Sequence, residues 1–172
     1  MLWLGGLLGR IQGGAQDARE LEYKVKAAFL LNFTKFVEWP PEAFAGADSP
    51  LIIGVFGENP FGNQLEQTIK DKTVDNRPLK ARQIQSVDDC TNCNLLFLGV
   101  AENDRIKTVL EKVRGVSVLT VGESDGFTEA GGMINFVREG QRFRFQVNNK
   151  AAQRAKLKIS SKMLGLAIPA DH

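Results

Sequence analysis

The sequence predicts a single-domain α/β protein: a three-layer sandwich with a mostly parallel, Rossmann-like sheet and an antiparallel hairpin at one edge. Three apolar runs, Leu51–Phe56 and residues 94–98 and 116–121, are typical of strands buried on both faces. Helical patterns alternate with these runs, which favours parallel βαβ units. The chain has 172 residues and 43% hydrophobic content, enough for one core, and residues 20–167 are predicted to form it.

Residues 1–19 precede the predicted domain. The segment MLWLGGLLG is short and apolar, and the small residues Gly13, Gly14 and Ala15 follow where a signal peptidase cleaves. We expect a truncated secretory signal peptide that lacks its basic start, with a disordered leader as the alternative. If the protein is exported, these residues are absent from its mature form.

The first element is a predicted helix over residues 20–39, which Pro40 and Pro41 end. Its apolar residues fall on two opposite faces, separated by narrow polar seams such as Glu22 and Lys26. One face comprises Leu21, Val25, Ala28, Phe29, Asn32, Phe36 and Trp39, and the other Tyr23, Ala27, Leu30, Thr34 and Val37. One face can cover the sheet, whereas the other needs a second helix or a second copy of the chain. Packing within the chain and a homodimer both stay open.

Strands and helices follow in alternation. Residues 57–62 form a glycine-rich turn between the first buried strand and a helix over residues 63–70, where free amides favour an anion-binding corner or a plain tight turn. Residues 77–83 are predicted to be a more exposed strand, and residues 103–114 an amphipathic helix.

The last strands are predicted to be a hairpin, residues 133–137 and Arg142–Val147, with Gly140 supplying a positive φ. In the second strand Phe143 and Phe145 alternate with Arg142 and Arg144, so one face is expected to be buried and the other to present guanidinium groups. A basic helix over residues 151–157 follows, capped by Asn148 or Asn149, and then an apolar turn over residues 163–167.

The charge is unevenly distributed. The net charge is +2, which gives no argument for nucleic acid as a partner. Residues 138–162, however, hold eight basic residues against one acidic residue, Glu139, a local charge of +7. The C-terminal third is therefore predicted to be a basic lobe, either a solvated face or a contact surface.

The residues offer little for catalysis, and we expect no enzyme, no cofactor and no metal site. The single histidine, His172, is the last residue, which excludes histidine acid–base chemistry, and with Cys90 and Cys93 it supplies only scattered metal ligands. Glu123 and Asp125 lie between glycines, as turn formers do. The Cys90-x-x-Cys93 pair precedes a strand rather than following one, which favours a local disulfide over free thiols or a thiol oxidoreductase.

Two groups of residues remain as binding candidates. Parallel sheets bind ligands at the carboxyl ends of their strands. The ligand-binding candidates are Gly57, Asn59, Phe61, Gly122, Glu123, Phe127, Arg142 and Arg144. The partner-binding candidates are the apolar residues of the tail, Leu164, Leu166 and Ile168, which otherwise dock on their own domain.

Five blocks of the sequence, in order, resemble the YfiR-like family of exported bacterial proteins. The blocks are residues 23–40 (YKVKAAFLLNFTKFVEWP), 57–62 (GENPFG), 118–123 (VLTVGE) with Phe127, 131–136 (GGMINF) and 157–164 (LKISSKML). The resemblance implies a non-enzymatic, often dimeric periplasmic repressor that holds an inner-membrane diguanylate cyclase such as YfiN inactive. The cyclase becomes active when an outer-membrane lipoprotein sequesters the repressor. Only two cysteines are present, so the longer disulfides of the family do not carry over.

The leading hypothesis is thus a periplasmic sensor or repressor that controls cyclic-di-GMP signalling by protein–protein binding. The alternative is a periplasmic small-ligand-binding module, for a nucleotide or an amino acid, that feeds a sensor histidine kinase. A third hypothesis, a thiol oxidoreductase, depends on Cys90 and Cys93.

Overall fold

The computed structural model describes residues 9–170, and side chains from Gly13 onwards. The start of the predicted leader and His172 lie outside these residues. The helices are α1 Gly9–Phe36, α2 Gln64–Ile69, α3 Asn103–Val113, α4 Asn149–Arg154 and α5 Ser161–Leu166. The strands are β1 Val37–Glu38, β2 Leu51–Phe56, β3 Thr73–Val74, β4 Arg77–Ile84, β5 Leu95–Leu98, β6 Leu119–Gly122, β7 Ile134–Glu139, β8 Arg142–Val147 and β9 Lys158–Ile159. None of the helices described has the length and apolar character that crossing a bilayer requires.

Seven strands form one sheet in the order β3-β4-β2-β5-β6-β7-β8, and β1 and β9 form a separate antiparallel pair. Strands β4, β2, β5, β6 and β7 are parallel, which confirms the predicted fold class. The predicted antiparallel hairpin lies at one edge: β7 runs parallel to β6, and β8 runs antiparallel to β7. Strand β7 overlaps β6 by only two paired positions, Val121↔Ile134 and Gly122↔Asn135, so the hairpin projects beyond the end of β6.

Helices cover both faces of the sheet. On one face, residues of α1, α2, α4 and α5 join a large apolar cluster with the odd-numbered residues of β2, β5 and β6. On the other face, Ile106, Val109, Leu110 and Val113 of α3 join a second cluster with Phe56 and Leu96. The core lies in these two layers, as expected for strands that are apolar throughout.

Helix α1 is buried on one of its two predicted apolar faces. Tyr23, Ala27, Leu30, Thr34 and Val37 are all buried, as predicted for the face that covers the sheet. The opposite face is only partly covered: Leu21 is 62% exposed, whereas Phe29 packs on Phe136 and Phe145.

Both ends of α1 differ from the predicted boundaries. The helix ends at Phe36 rather than Trp39 because Val37 and Glu38 pair with Ile159 and Lys158 of β9. Towards its start it includes residues 9–19 of the predicted leader, and the side chains from Gly13 to Arg19 are exposed. Whether this segment is removed on export stays a prediction.

The connection from β6 to β7 folds around one buried aromatic ring. Phe127 is 1% exposed and lies between Gly122 and Gly132, both of which approach its ring so closely that a Cβ atom at either position would overlap it. The backbone N–H of Gly132 donates to the carbonyl of Phe127 at 2.9 Å, which closes the turn. These glycines therefore set how tightly the hairpin joins the sheet.

Gly132→Ala is expected to lower the free energy of unfolding by about 1–3 kcal/mol, because the added methyl group has to displace the Phe127 ring. Gly165→Ala is the matched control: it lies in α5 with open space around the position, so the substitution is expected to be neutral or slightly stabilising. Urea denaturation measures the unfolding free energy of both variants. Equal unfolding free energies for the two variants would contradict the packing described.

Candidate functional site

The five parallel strands, numbered among themselves in chain order, follow the 2-1-3-4-5 arrangement of doubly wound folds. In such sheets ligands bind at the carboxyl ends of the strands, where the connections leave towards opposite faces. Here that point lies between β2 and β5, since α2 follows β2 on one face and α3 follows β5 on the other. The loops after β2, β5 and β6 meet at this edge.

The corner after β2 is filled by a carboxylate of the chain itself. Glu102 Oε1 accepts a hydrogen bond from the backbone N–H of Glu58 at 3.0 Å, and its side chain is only 12% exposed. A Cβ atom on Gly57, whose φ is +70°, would overlap this carboxylate. The backbone N–H of Glu58, in the turn where the sequence predicts free amides for an anion, is thus already bonded to a carboxylate.

The other two candidates in this loop stabilise the loop and the core. Asn59 Oδ1 accepts from the N–H of Phe61 at 2.9 Å, and Asn59 Nδ2 donates to the carbonyl of Gly62 at 3.0 Å. Phe61 is buried with its ring edge-on to Tyr23 at 5.3 Å and to Phe97 at 4.9 Å. The two Asn59 hydrogen bonds are typical of a structural turn, and the ring contacts of Phe61 belong to the core.

The corner after β6 holds a buried ion-pair cluster of Glu22, Tyr23, Lys26 and Glu123, called here the Lys26 cluster. Lys26 Nζ lies 2.6 Å from Glu123 Oε2 and also bonds Glu22. Glu123 Oε1 accepts from the Tyr23 hydroxyl at 2.9 Å and from the backbone N–H of Val100 at 3.0 Å. The side chains of Lys26 and Glu123 are each 4% exposed, so both charges are buried and paired.

Aromatic rings surround the ammonium group of Lys26. It lies 4.8 Å from the ring centre of Tyr23, 4.9 Å from that of Phe143 and 5.8 Å from that of Phe136, distances at which a cation is attracted to an aromatic face. Burial raises the pKa of Tyr23 well above its ordinary value, and the nearby charge of Glu123 adds to this. The phenol therefore stays protonated and acts as a hydrogen-bond donor to Glu123.

A cavity of about 160 Å³ adjoins the Lys26 cluster. Arg138 and Phe143 of the hairpin line it together with the cluster, Val100 and Phe136. Arg142 and Arg144 do not line it; Arg142 is exposed, and Arg144 Nη1 lies 3.7 Å from Glu139 Oε2. Glu123 was thus a candidate from the sequence, whereas its neighbours Lys26, Tyr23 and Arg138 were not predicted as part of a site.

The hairpin faces are less regular than the alternation in the sequence indicates. Phe145 is buried against α1, as expected, but Phe143 is only half-buried. On the opposite face Gln146 is buried, because the tail lies beside it and the carbonyl of Pro169 accepts from Gln146 Nε2 at 3.4 Å. The solvent-facing guanidinium groups are confined to the end near the turn.

The apolar tail docks on its own domain. The N–H of Ile168 donates to the carbonyl of Phe145 at 2.9 Å, and Ile168 pairs with Gln146 in parallel. Leu164 packs against the larger apolar cluster, while Leu166 is 58% exposed. Of the three predicted contact residues, Leu166 alone presents most of its side chain to solvent.

Cys90 and Cys93 are both buried and are free thiols in this structure, so their predicted disulfide stays a prediction. Burial raises the pKa of Cys90 to about 11 and that of Cys93 to about 12. Both residues are therefore held as thiols, which is the opposite of what a reactive cysteine needs. Across residues 9–170, no three His, Cys, Asp or Glu side chains gather as metal ligands would.

Comparison with known proteins gives a family and a fold. A family model described as YfiR/HmsC-like matches residues 23–168. A conserved domain protein from Vibrio cholerae O1 biovar El Tor strain N16961 has a TM-score of 0.54 and 10% identity, with 70% of this chain and 54% of that chain covered. An ABC domain from Streptococcus pneumoniae, solved in complex with L-Trp, has a TM-score of 0.50 and 12% identity, with coverage of 69% and 54%.

The chain thus spans about half the length of both solved structures. At these identities the likeness shows the fold alone.

Lys26→Met is expected to cost about 3–5 kcal/mol of unfolding free energy, because it leaves the buried Glu123 carboxylate without its cation and also removes the partner of Glu22. Lys112→Met is the control: its partner Asp88 is 88% exposed, so the change should stay within about 1 kcal/mol. Chemical denaturation of both variants gives the comparison. A loss for Lys26→Met no larger than that for the control would contradict a buried ion pair.

Alkylation by iodoacetamide tests the state of the cysteines. Because the pKa of Cys90 rises from 9.0 to about 11, its thiolate fraction at pH 8, and with it the labelling rate, should fall about 100-fold below that of the denatured chain. Mass spectrometry of the folded and denatured protein measures this rate. Equal rates would contradict the buried thiol, whereas an unlabelled denatured chain that reacts only after reduction would confirm the predicted disulfide.

Proposed function

Because the chain belongs to the YfiR/HmsC-like family, we propose that it is a periplasmic regulator that represses an inner-membrane signalling enzyme by binding to it. The partner proposed is a diguanylate cyclase, so that the protein lowers cyclic-di-GMP. An outer-membrane lipoprotein that sequesters the regulator would relieve the repression. Regulation by protein contact needs surfaces rather than a reactive centre.

The observation that carries this proposal is the way the carboxyl edge of the sheet is used. Glu102 and Glu123 accept hydrogen bonds from the amides of Glu58 and Val100, and Glu123 pairs with Lys26. An anionic ligand at these amides would have to displace a carboxylate from each corner. The edge therefore supports a scaffold role better than the small-ligand alternative, which requires the same groups to be available.

The tail supplies the proposed contact surface for the cyclase. Leu166 is 58% exposed although its neighbours are docked on the domain: Met163 is buried, and Ile168 is hydrogen-bonded to β8. Lys162 lies four residues earlier in α5, with its ammonium group 5.5 Å from the ring centre of Phe36. An exposed leucine on a helix that docks on its own domain and also carries a basic side chain suits a protein contact.

A second surface is proposed for a homodimer. Leu21 is 62% exposed on α1, and Val25 and Phe29 on the same face are half-buried. Apolar side chains at helical spacing that the fold leaves partly open are those a second copy of the helix would cover.

Leu166→Glu is expected to leave a folded protein and to raise cyclic-di-GMP in the host, because it places a charge in the proposed contact without removing core packing. Val116→Glu is the matched control, since Val116 is also exposed, at 36%, but lies in the connection between α3 and β6. Mass spectrometry of cell extracts measures the nucleotide, and immunoblotting confirms equal protein levels. An unchanged cyclic-di-GMP level with Leu166→Glu would count against this surface.

A further inference from the structure

Strand β8 is the outer strand at one edge of the seven-stranded sheet. Its hydrogen-bond pattern shows which of its backbone N–H and carbonyl groups point away from β7. The N–H of Asn148 donates to the carbonyl of Met133 at 2.7 Å, which fixes the pairing of the even-numbered residues of β8 with β7. The carbonyl of Phe145 instead accepts from Ile168 of the tail. The backbone groups of Phe143, Phe145 and Val147 therefore point to the outer edge.

The tail covers only one end of this edge. Helix α5 ends at Leu166, and Ile168 pairs with Gln146, so the tail runs along the end of β8 that is farther from the hairpin turn. Pro169 follows and has no N–H with which to extend the ladder. Towards the turn, no residue within 9–170 hydrogen-bonds the backbone N–H or carbonyl of Phe143.

The side chains beside the open part of the edge are basic. Arg142 is exposed, and the side chain of Arg144 is 41% exposed with only a long contact to Glu139. Antiparallel pairing of β8 with a second copy about Phe143 would place Arg142 opposite Arg144, and like charges directly opposite destabilise a pair of strands. The arginines thus protect the edge against self-association and leave it open to a strand of opposite charge.

We propose that the open edge of β8, from Arg142 to Phe145, binds an extended segment of a partner protein that carries acidic side chains at alternate positions. The segment would add a strand to the sheet through the backbone of Phe143, and its carboxylates would pair with Arg142 and Arg144. Main-chain hydrogen bonds would supply affinity, and the two arginines would select the charge of the strand. The site is separate from Leu166. It rests on the proposed function only in the assumption that the binding partner is a protein.

The projection of the hairpin supports this site. Because β7 overlaps β6 at only two positions, the open part of β8 lies beyond the end of β6. At the other edge of the sheet, β3 covers β4 only at Arg77 and Pro78, and the rest of β4 lies alongside the full length of β2. The open part of β8 differs from that edge because it projects beyond the end of the neighbouring parallel strand β6.

The test uses the full chain and two capped peptides, one of alternating Glu and Thr and one of alternating Lys and Thr. We expect the Glu peptide to bind and to slow the amide exchange of Phe143, measured by NMR, because that N–H would enter a ladder. Arg142→Glu/Arg144→Glu should weaken binding of the Glu peptide about tenfold and strengthen binding of the Lys peptide. Lys150→Glu/Arg154→Glu on α4 changes the net charge equally and should leave both affinities as in the unaltered chain.

Three results would overturn the proposal: no binding of the Glu peptide at millimolar concentration, binding without slower exchange at Phe143, or equal weakening by the two charge-reversed variants. Circular dichroism and thermal unfolding confirm that each variant is folded before binding is measured. Failure here would leave the repressor role intact, since that role is tested by cyclic-di-GMP in the host and depends on Leu166.

Discussion

The buried ion pair between Lys26 and Glu123 is the interaction on which the rest of this structure depends. The two residues lie 97 positions apart in the chain, one on α1 and one at the end of β6. Each buried charge would cost several kcal/mol of desolvation if it were unpaired. Glu22, Tyr23 and the amide of Val100 complete the hydrogen bonds, so α1 has one favourable position on the sheet. Phe136 and Phe143 extend this constraint to the hairpin.

The buried ion pair also occupies part of the crevice at the carboxyl ends of the strands. In a doubly wound sheet, that crevice is the usual position of a ligand. Here Glu102 and Glu123 lie against the amides that would bind an anion, and the residues of the edge hold α1 and the loops together. The surfaces that we propose for recognition are at the periphery: Leu166 on the docked tail, the outer face of α1 and the open edge of β8. A regulator that acts by contact has its binding surfaces in such places.

Much of the fold was predictable because the buried parallel strands are apolar at nearly every position, as in Leu51–Phe56. The positive φ of Gly140 and the cap by Asn148 were also predictable, since both depend on neighbours in the sequence. The ion pair of Lys26 with Glu123 was not predictable, because no local sequence pattern relates the two residues. The sequence indicated only that Lys26 lies in a narrow polar seam between the two apolar faces of the helix. The direction of β7 depends on how the preceding loop folds around Phe127, which residue patterns do not encode.

We propose that the protein represses a membrane-bound cyclase through contacts made by its surface. The most direct test is the cyclic-di-GMP level in a strain that lacks this gene, compared with a strain that also lacks the inner-membrane diguanylate cyclase. We expect a higher level of cyclic-di-GMP when the gene is removed, and no rise when the cyclase is removed as well. The same level with and without the gene, or a rise that persists without any inner-membrane cyclase, would contradict it.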